Sequence, residues 1–430
     1  MEQRLRVGLA GAIGNLLEWY DFGLYGLLAP VLASLFFPNH SRTASLLGVY
    51  GGFASGFLMR PIGAVVLGHL GDRIGRRFVL LVSVTLMGLA TIAVGVLPTY
   101  RTLGIWAPAL LILVRLFQGF SVGGEFVDSV TYLVETASPE RRGTAGSIAN
   151  LGSTAGMLLA AAVAAAVTTW AGSARVFEFA WRIPFLLGGV IASVAFYSRR
   201  HLPEIKTHAQ RTETARVSPL RLAIRHQPGI FWATLLFTSG YGIVDYVTMV
   251  FLPTYAHEFG QVATQQALRI NAIGQALALA VVPFSGWISD RLLTRRTILI
   301  WAFLAEGVIS WQAFKLVSRN GVEGLWLAQL SFAFLLAIVM GAAPAMLAEQ
   351  FRPEYRVSAH AVAFNIGIGI AGGTAPMVAT ALIKVFSNPL APAGYLLFAA
   401  ALSTVSAFAL HDRSREPLAE LESAAMKTTY

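Results

Sequence analysis

The chain has 430 residues, 56% hydrophobic and only 13% charged, with a formal net charge of +10 and no cysteine. Soluble domains carry about a quarter charged residues, so this composition describes a membrane protein, and the missing thiols exclude disulfides and thiolate metal sites. The positive balance does not mark a nucleic-acid partner, because its distribution follows the membrane.

Apolar runs long enough to cross a bilayer recur along the whole length. They predict spans at Leu9–Phe37, Ala44–Leu70, Phe78–Pro98, Leu103–Val134, Thr144–Trp170 and Ile183–Ser198. After a polar gap come Ile230–Tyr255, Ala267–Ile288, Thr297–Leu316, Leu325–Leu347, Ser358–Val385 and Pro392–Leu410. With the N-terminus inside, 22 of the 32 Lys and Arg fall on the cytoplasmic side and eight on the outer side, while Arg60 and Arg115 lie deep within spans. That asymmetry places both termini in the cytoplasm. Met1–Gly8 runs directly into the first span without a small-residue cleavage site, which reads as an uncleaved signal anchor.

In the first span, helical spacing puts Asn15, Glu18, Phe22 and Tyr25 on one stripe, with Asp21 beside it. Two carboxylates facing acyl chains would cost several kcal/mol, so they are expected to face a protein interior or a water-filled cavity. Either a functional acid pair or a static, helix-orienting ion pair fits this pattern. The fourth span carries a second stripe, Arg115, Gln118, Val122, Glu125, Ser129 and Tyr132, with Asp128 alongside. Arg115 and Glu125 lie ten positions apart, about 15 Å along a helix, so each needs a partner elsewhere. Glu18 and Asp21 are expected to approach Glu125 and Asp128, and four carboxylates in a small volume cannot all ionise. Arg60, in the second span, is the expected counter-ion.

The polar gap from Arg199 to Gly229 divides the chain, and the halves echo each other. Glu135-x-x-x-Pro139-Glu140-x-Arg142 matches Glu349-x-x-x-Pro353-Glu354-x-Arg356, Gly68–Arg77 matches Gly286–Arg296, and Asn150-x-Gly152 matches Asn365-x-Gly367. Three echoes in register indicate a duplicated six-helix unit, the layout of carriers whose substrate sits between halves. The expected parts are a bundle over 1–198, a loop over 199–229, a second bundle over 230–411 and a tail over 412–430.

Gly14–Gly26, Gly56–Gly63 with Arg60-Pro61, Gly68–Arg77, Arg115–Glu125, Trp181–Phe185 and Phe364–Pro376 run through both halves. On these segments the chain resembles the major facilitator superfamily, and within it the metabolite:proton symporters that include proline/betaine, α-ketoglutarate, citrate and shikimate permeases. The resemblance implies an all-α membrane fold of twelve transmembrane helices in two pseudo-symmetric six-helix bundles. It implies secondary active import of a small polar metabolite, an organic acid or a zwitterion, with a proton as coupling ion and no cofactor. It further implies a multi-pass protein of the cytoplasmic (inner) membrane working as a monomer, with no enzymatic activity. The Arg115 position belongs to a fourth-helix motif associated with proton transfer, and Glu125 ends the branch's Gly-Gly-Glu signature. The loop of Asp72, Arg73, Gly75 and Arg76 helps hold an inner gate closed in this superfamily. Its second copy, with Asp290 and Arg291, has one extra residue and lacks the glycine, which puts its gating role in doubt.

The proton-coupling candidates are therefore Glu18, Asp21, Arg115, Glu125 and Asp128. Asp245, in the seventh span, could close an outer gate with Arg115, bind a cationic group or cap a kink before Pro253. Trp19, Tyr20, Tyr25, Tyr241 and Tyr246 could cage a quaternary ammonium through cation–π contacts or simply pack. Arg60, Gln118, Asn150 and Asn365 complete the candidate substrate contacts. Glu306, in the ninth span, peripheral by analogy with the family, is expected to find a partner on a neighbouring helix or at the interface. No phosphate-cradling Gly-x-x-x-x-Gly-Lys-Ser/Thr or His-Glu-x-x-His appears, and the fifth span lacks the Gly-Pro motif of proton-antiporting exporters. Symport is favoured; a proton-driven exporter and a transporter-derived sensor are the alternatives.

Overall fold

In lipid the backbone of each apolar run can bond only to itself, so each run must close its own hydrogen bonds as a helix. The computed structural model describes residues 2–122, 125–200, 219–414 and 416. Its first span is two helices, Glu2–Leu27 and Ala29–Phe36, meeting at 65°. The bend falls where Pro30 removes an N–H and its ring crowds the preceding turn. The second span is Arg42–Ile74 and the third Arg76–Val96. Gly75 turns the chain between them at φ 116°, a conformation that favours glycine.

The fourth span breaks. Trp106–Ser121 ends at an extended Val122, and a second helix runs Glu125–Thr136. The fifth and sixth are Arg142–Arg175 and Arg182–Arg200. The seventh runs Pro228–Tyr246, widens into a π-helix over Val247–Phe251 and finishes as Leu252–Phe259. The eighth is Thr264–Arg291. A 54-residue helix, Arg295–Ala348, is split into the ninth and tenth spans by Gly321 at φ 54°. The eleventh runs Arg356–Phe364, a π-helix over Asn365–Gly372, then Gly373–Phe386; the twelfth is Ala391–Ala409. Ten helices, the bent first pair and the division at Gly321 make twelve spans among the described residues.

The halves meet through the first span against the seventh, the second against the eleventh, the fourth against the tenth and the fifth against the eighth. Small residues let these seams close. Gly143 lies against the Gly286 carbonyl, Gly146 against Ala345, Gly26 against Val250 and Gly373 against Phe57. On the side expected to be cytoplasmic, Val130, Val134, Ala149, Ala345 and Ala348 form an apolar plug drawn from both halves. At the opposite end Arg42 pairs with Glu258 at 2.7 Å, and the Tyr50 hydroxyl lies 3.0 Å from Thr254. These contacts close the seam between the halves at both ends.

Within the first half, the Cα of Gly119 approaches the Gly56 backbone so closely that a Cβ would sit 1.7 Å from its carbonyl oxygen. G119A is expected to push the second and fourth spans apart and cost about 1–3 kcal/mol, read as a lowered melting temperature in detergent. An unchanged melting temperature would show that this seam yields freely.

Candidate functional site

The first, third and fourth spans converge on Asp21. Its carboxylate accepts hydrogen bonds from Arg115 Nη1 at 2.8 Å, Thr91 Oγ1 at 2.8 Å and Gln118 Nε2 at 2.6 Å. Arg115 Nη1 also donates to Gln118 Oε1 at 2.7 Å. Asp21, Arg115, Gln118 and Thr91 are all 0% exposed. The Arg115 guanidinium lies over the rings of Phe22 and Tyr25, 4.4 Å from each centroid. Separating such a pair strands one buried charge, at a cost of about 3–5 kcal/mol. Protonating Asp21 removes its charge and weakens the hold on Arg115 without leaving a carboxylate unpaired.

One turn earlier, Glu18 takes a different cation. It forms an ion pair with Arg60 at 3.0 Å, and Arg60 lies over Phe22 and Phe57 at 4.4 and 4.3 Å. The aromatic layer continues across the seam: Trp19 stacks on Tyr246 at 6.3 Å, and Phe53 and Phe57 meet Tyr246 edge-on. A cavity of about 310 Å³ borders Glu18 and the break of the fourth span, with Arg199 on its wall.

A second cavity, of about 240 Å³, lies between the halves. Asn150, Tyr241 and His360 supply its polar wall, and Phe126 and Phe364, stacked at 5.1 Å, part of its apolar wall. His360 is 1% exposed, and neither ring nitrogen has a hydrogen-bond partner. A buried polar group without a partner costs free energy, so this imidazole is set to meet a polar ligand. The histidine pattern of the sequence, scattered and without metal spacing, gave no signal for it.

The inner seam is closed by the repeated Glu-x-x-x-Pro-Glu-x-Arg motif. Arg142, which ends the first copy, pairs with Glu349, which begins the second, at 3.0 Å; Arg356, which ends the second, pairs with Glu135, which begins the first, at 2.5 Å. Arg295 joins Glu349 and bonds Asp290 at 3.0 Å. Asp290 accepts from the backbone N–H of Gly143 at 2.6 Å and of Thr144 at 2.8 Å, capping the fifth span from the other half. Asp412 accepts from the Arg296 N–H. Burial pushes the Asp412 carboxyl up, but hydrogen bonds from Ser414 and the Arg296 backbone hold it below the ordinary carboxylate range.

Several sequence expectations change. Asp21 does not share one dry volume with Asp128, because Asp21 is fully buried and Asp128 is exposed. The fourth-span stripe is not continuous, since the extended Val122 interrupts it. Arg115 bonds Asp21, so it does not serve as an outer gate with Asp245 in this state. Glu306 does not find the expected partner: it is 0% exposed, and among the described residues neither oxygen has a hydrogen-bond partner. The Tyr25 hydroxyl donates to the Val49 carbonyl and Asn365 to Ala361 of its own helix. Asn150 donates to the Met340 carbonyl across the seam at 2.6 Å. Arg291 is exposed, and the side chains of Glu125, Asp72, Arg73 and Arg76 lie outside the described residues. The roles of Thr91, Glu135, Arg142, Arg295, Glu349 and Arg356 were not read from the sequence; for four of them the ends of the repeated motif carried the signal.

Residues 11–305 and 234–428 match the sequence pattern of the Major Facilitator Superfamily. The chain is 32% identical over 426 residues to a proline/betaine transporter of Salmonella typhimurium, covering 95% of this chain and 84% of that protein. It is 34% identical over 411 residues to a citrate-proton symporter of Salmonella typhi, covering 94% of each. Among solved structures it is similar in fold to a D-xylose-proton symporter, with a TM-score of 0.73, 19% identity, and 94% and 96% of the two chains covered.

Because the chain has no cysteine, a single introduced thiol reports accessibility without background. E349Q removes a charge that two buried arginines face, and is expected to open the inner seam. V130C should then be alkylated from the inner side several-fold faster in the E349Q background than alone. Equal rates would show that the motif pairs do not hold this end shut.

Proposed function

The chain belongs to the Major Facilitator Superfamily, and from that premise we propose that it imports a small carboxylate-bearing metabolite together with a proton. Zwitterions such as proline or betaine fall within that class. The observation that carries the reading is the wholly buried Asp21–Arg115 pair, held by Thr91 and Gln118 beside the seam between halves. The similarity to a proline/betaine transporter and a citrate-proton symporter supports the substrate class and the coupling ion.

In this mechanism the metabolite occupies the cavity between the halves, where His360, Asn150 and Tyr241 offer polar contacts and Phe126 and Phe364 an apolar face. Proton arrival at Asp21 loosens Arg115, and the first and fourth spans become free to move against the seventh and tenth. The halves, 1–198 and 230–411, rock about the site and are joined by the 199–229 loop. The crossed motif pairs close the inner end and Arg42–Glu258 the outer, so a productive cycle opens one set at a time. The protein works as a monomer in the cytoplasmic membrane, both termini inside, and draws its energy from the proton gradient without a cofactor.

Proteoliposome uptake of labelled proline, betaine and citrate, with and without an inward proton gradient, tests this. D21N is expected to abolish gradient-driven uptake while leaving substrate exchange at zero gradient in place. Wild-type gradient-driven uptake by D21N would overturn the role of Asp21, and substrate-driven acidification outside would turn importer into exporter. H360A is expected to raise KM about tenfold, the loss of roughly one hydrogen bond to a charged ligand, with kcat little changed.

A further inference from the structure

The carboxyls of the first span each have an arginine; among the described residues, Asp245 and Glu306, the acids in the middle of the second half's spans, form no ion pair. Glu306, in the middle of the ninth span, is 0% exposed, and neither of its oxygens has a hydrogen-bond partner. Asp245 lies on the facing seventh span, one turn beyond Tyr241, whose ring meets Phe303, one turn before Glu306, at 6.4 Å. Asp245 is 7% exposed and, among the described residues, forms no ion pair. Tyr241, one turn before Asp245, is near enough to feel both carboxyls, and its side chain lines the cavity between the halves.

Aromatic and small residues pack against this stretch of the ninth span. Phe303, one turn before Glu306, packs edge-on against Phe237 at 5.5 Å and Tyr241 at 6.4 Å. Gly307 faces Leu397 and Ala400 of the twelfth span. Tyr246, beside Asp245, keeps an unpartnered hydroxyl. Arg60 and Arg115, the buried cations across the seam, are paired with Glu18 and Asp21.

An ionised carboxylate without a donor or a cation is very costly in such a place. A second carboxylate beside it raises that cost, and two interacting acids bind protons as a pair. We propose that Glu306 is a proton-binding site of the second bundle, occupied in this closed arrangement, with Asp245 as the partner through which it exchanges protons with the cavity wall at Tyr241. The site is separate from Asp21, which holds Arg115 as an anion in the same state. Its contribution to coupling rests on the symport reading above; the bound proton does not.

The experiment is infrared spectroscopy of the purified full-length protein in lipid nanodiscs at neutral pH. The expected result is a carbonyl stretch of a protonated, dry carboxylic acid that E306Q removes and D245N retains. E306Q should melt at or above the wild-type temperature, since an amide replaces a neutral acid. An unchanged spectrum in E306Q overturns the proposal, and loss of the band in D245N but not in E306Q moves the proton to Asp245. If E306Q does not fold, E306D must keep the band at a shifted frequency, and an unshifted band overturns the assignment. D21N serves as the reference: failure of its transport phenotype bears on the symport reading and leaves this spectrum unaffected.

Discussion

A charge inside a bilayer must be compensated, and much of this fold is the means of doing so. Asp21 and Arg115 cannot face lipid, so the first and fourth spans turn these faces inward, and Thr91 and Gln118 satisfy what the pair leaves over. Glu18 imposes the same demand on Arg60. The aromatic layer of Phe22, Phe53, Phe57 and Tyr246 then packs against the guanidinium faces and extends the constraint across the seam to the second half. A structural role and a transport role are not alternatives here. A pair that is stable only while compensated is also one whose protonation changes what the helices prefer.

The inner seam applies the same physics at the membrane edge. Duplication produced two copies of a Glu-to-Arg motif, and pseudo-twofold packing places the acid of one copy against the base of the other. The two cross-pairs need the halves to be in register, so they form together and break together. Asp290 adds a helix cap supplied from the opposite half, despite the extra residue and the missing glycine of its loop. Its function needs a carboxylate at a helix N-terminus, not the turn geometry of the first copy.

The second half is electrostatically unlike the first. Among the described residues Asp245 and Glu306 form no ion pair, and the seventh and eleventh spans widen into π-helices next to Asp245 and at Asn365. Such bulges are frequent at functional sites. The contrast gives the two bundles different chemistry, with buried ion pairs in the first and polar groups without a cation in the core of the second.

The sequence alone determined twelve spans, a duplicated unit and an inward-facing acid stripe, because hydrophobic run length, charge asymmetry and helical spacing are local properties that lipid enforces directly. It also identified Arg60 and Arg115 as the charges needing partners. Which acid meets which base was decided only by the tertiary structure. Glu18 and Asp21 lie three residues apart, and nothing local tells Arg60 from Arg115 as the partner of either. The break at Val122 was hidden for the same reason, since its flanking residues have ordinary helical patterning. Glu306 and His360 differ from other polar residues in apolar spans only through what surrounds them. Their lack of partners is a property of packing between helices far apart in the chain, and no window of sequence contains it.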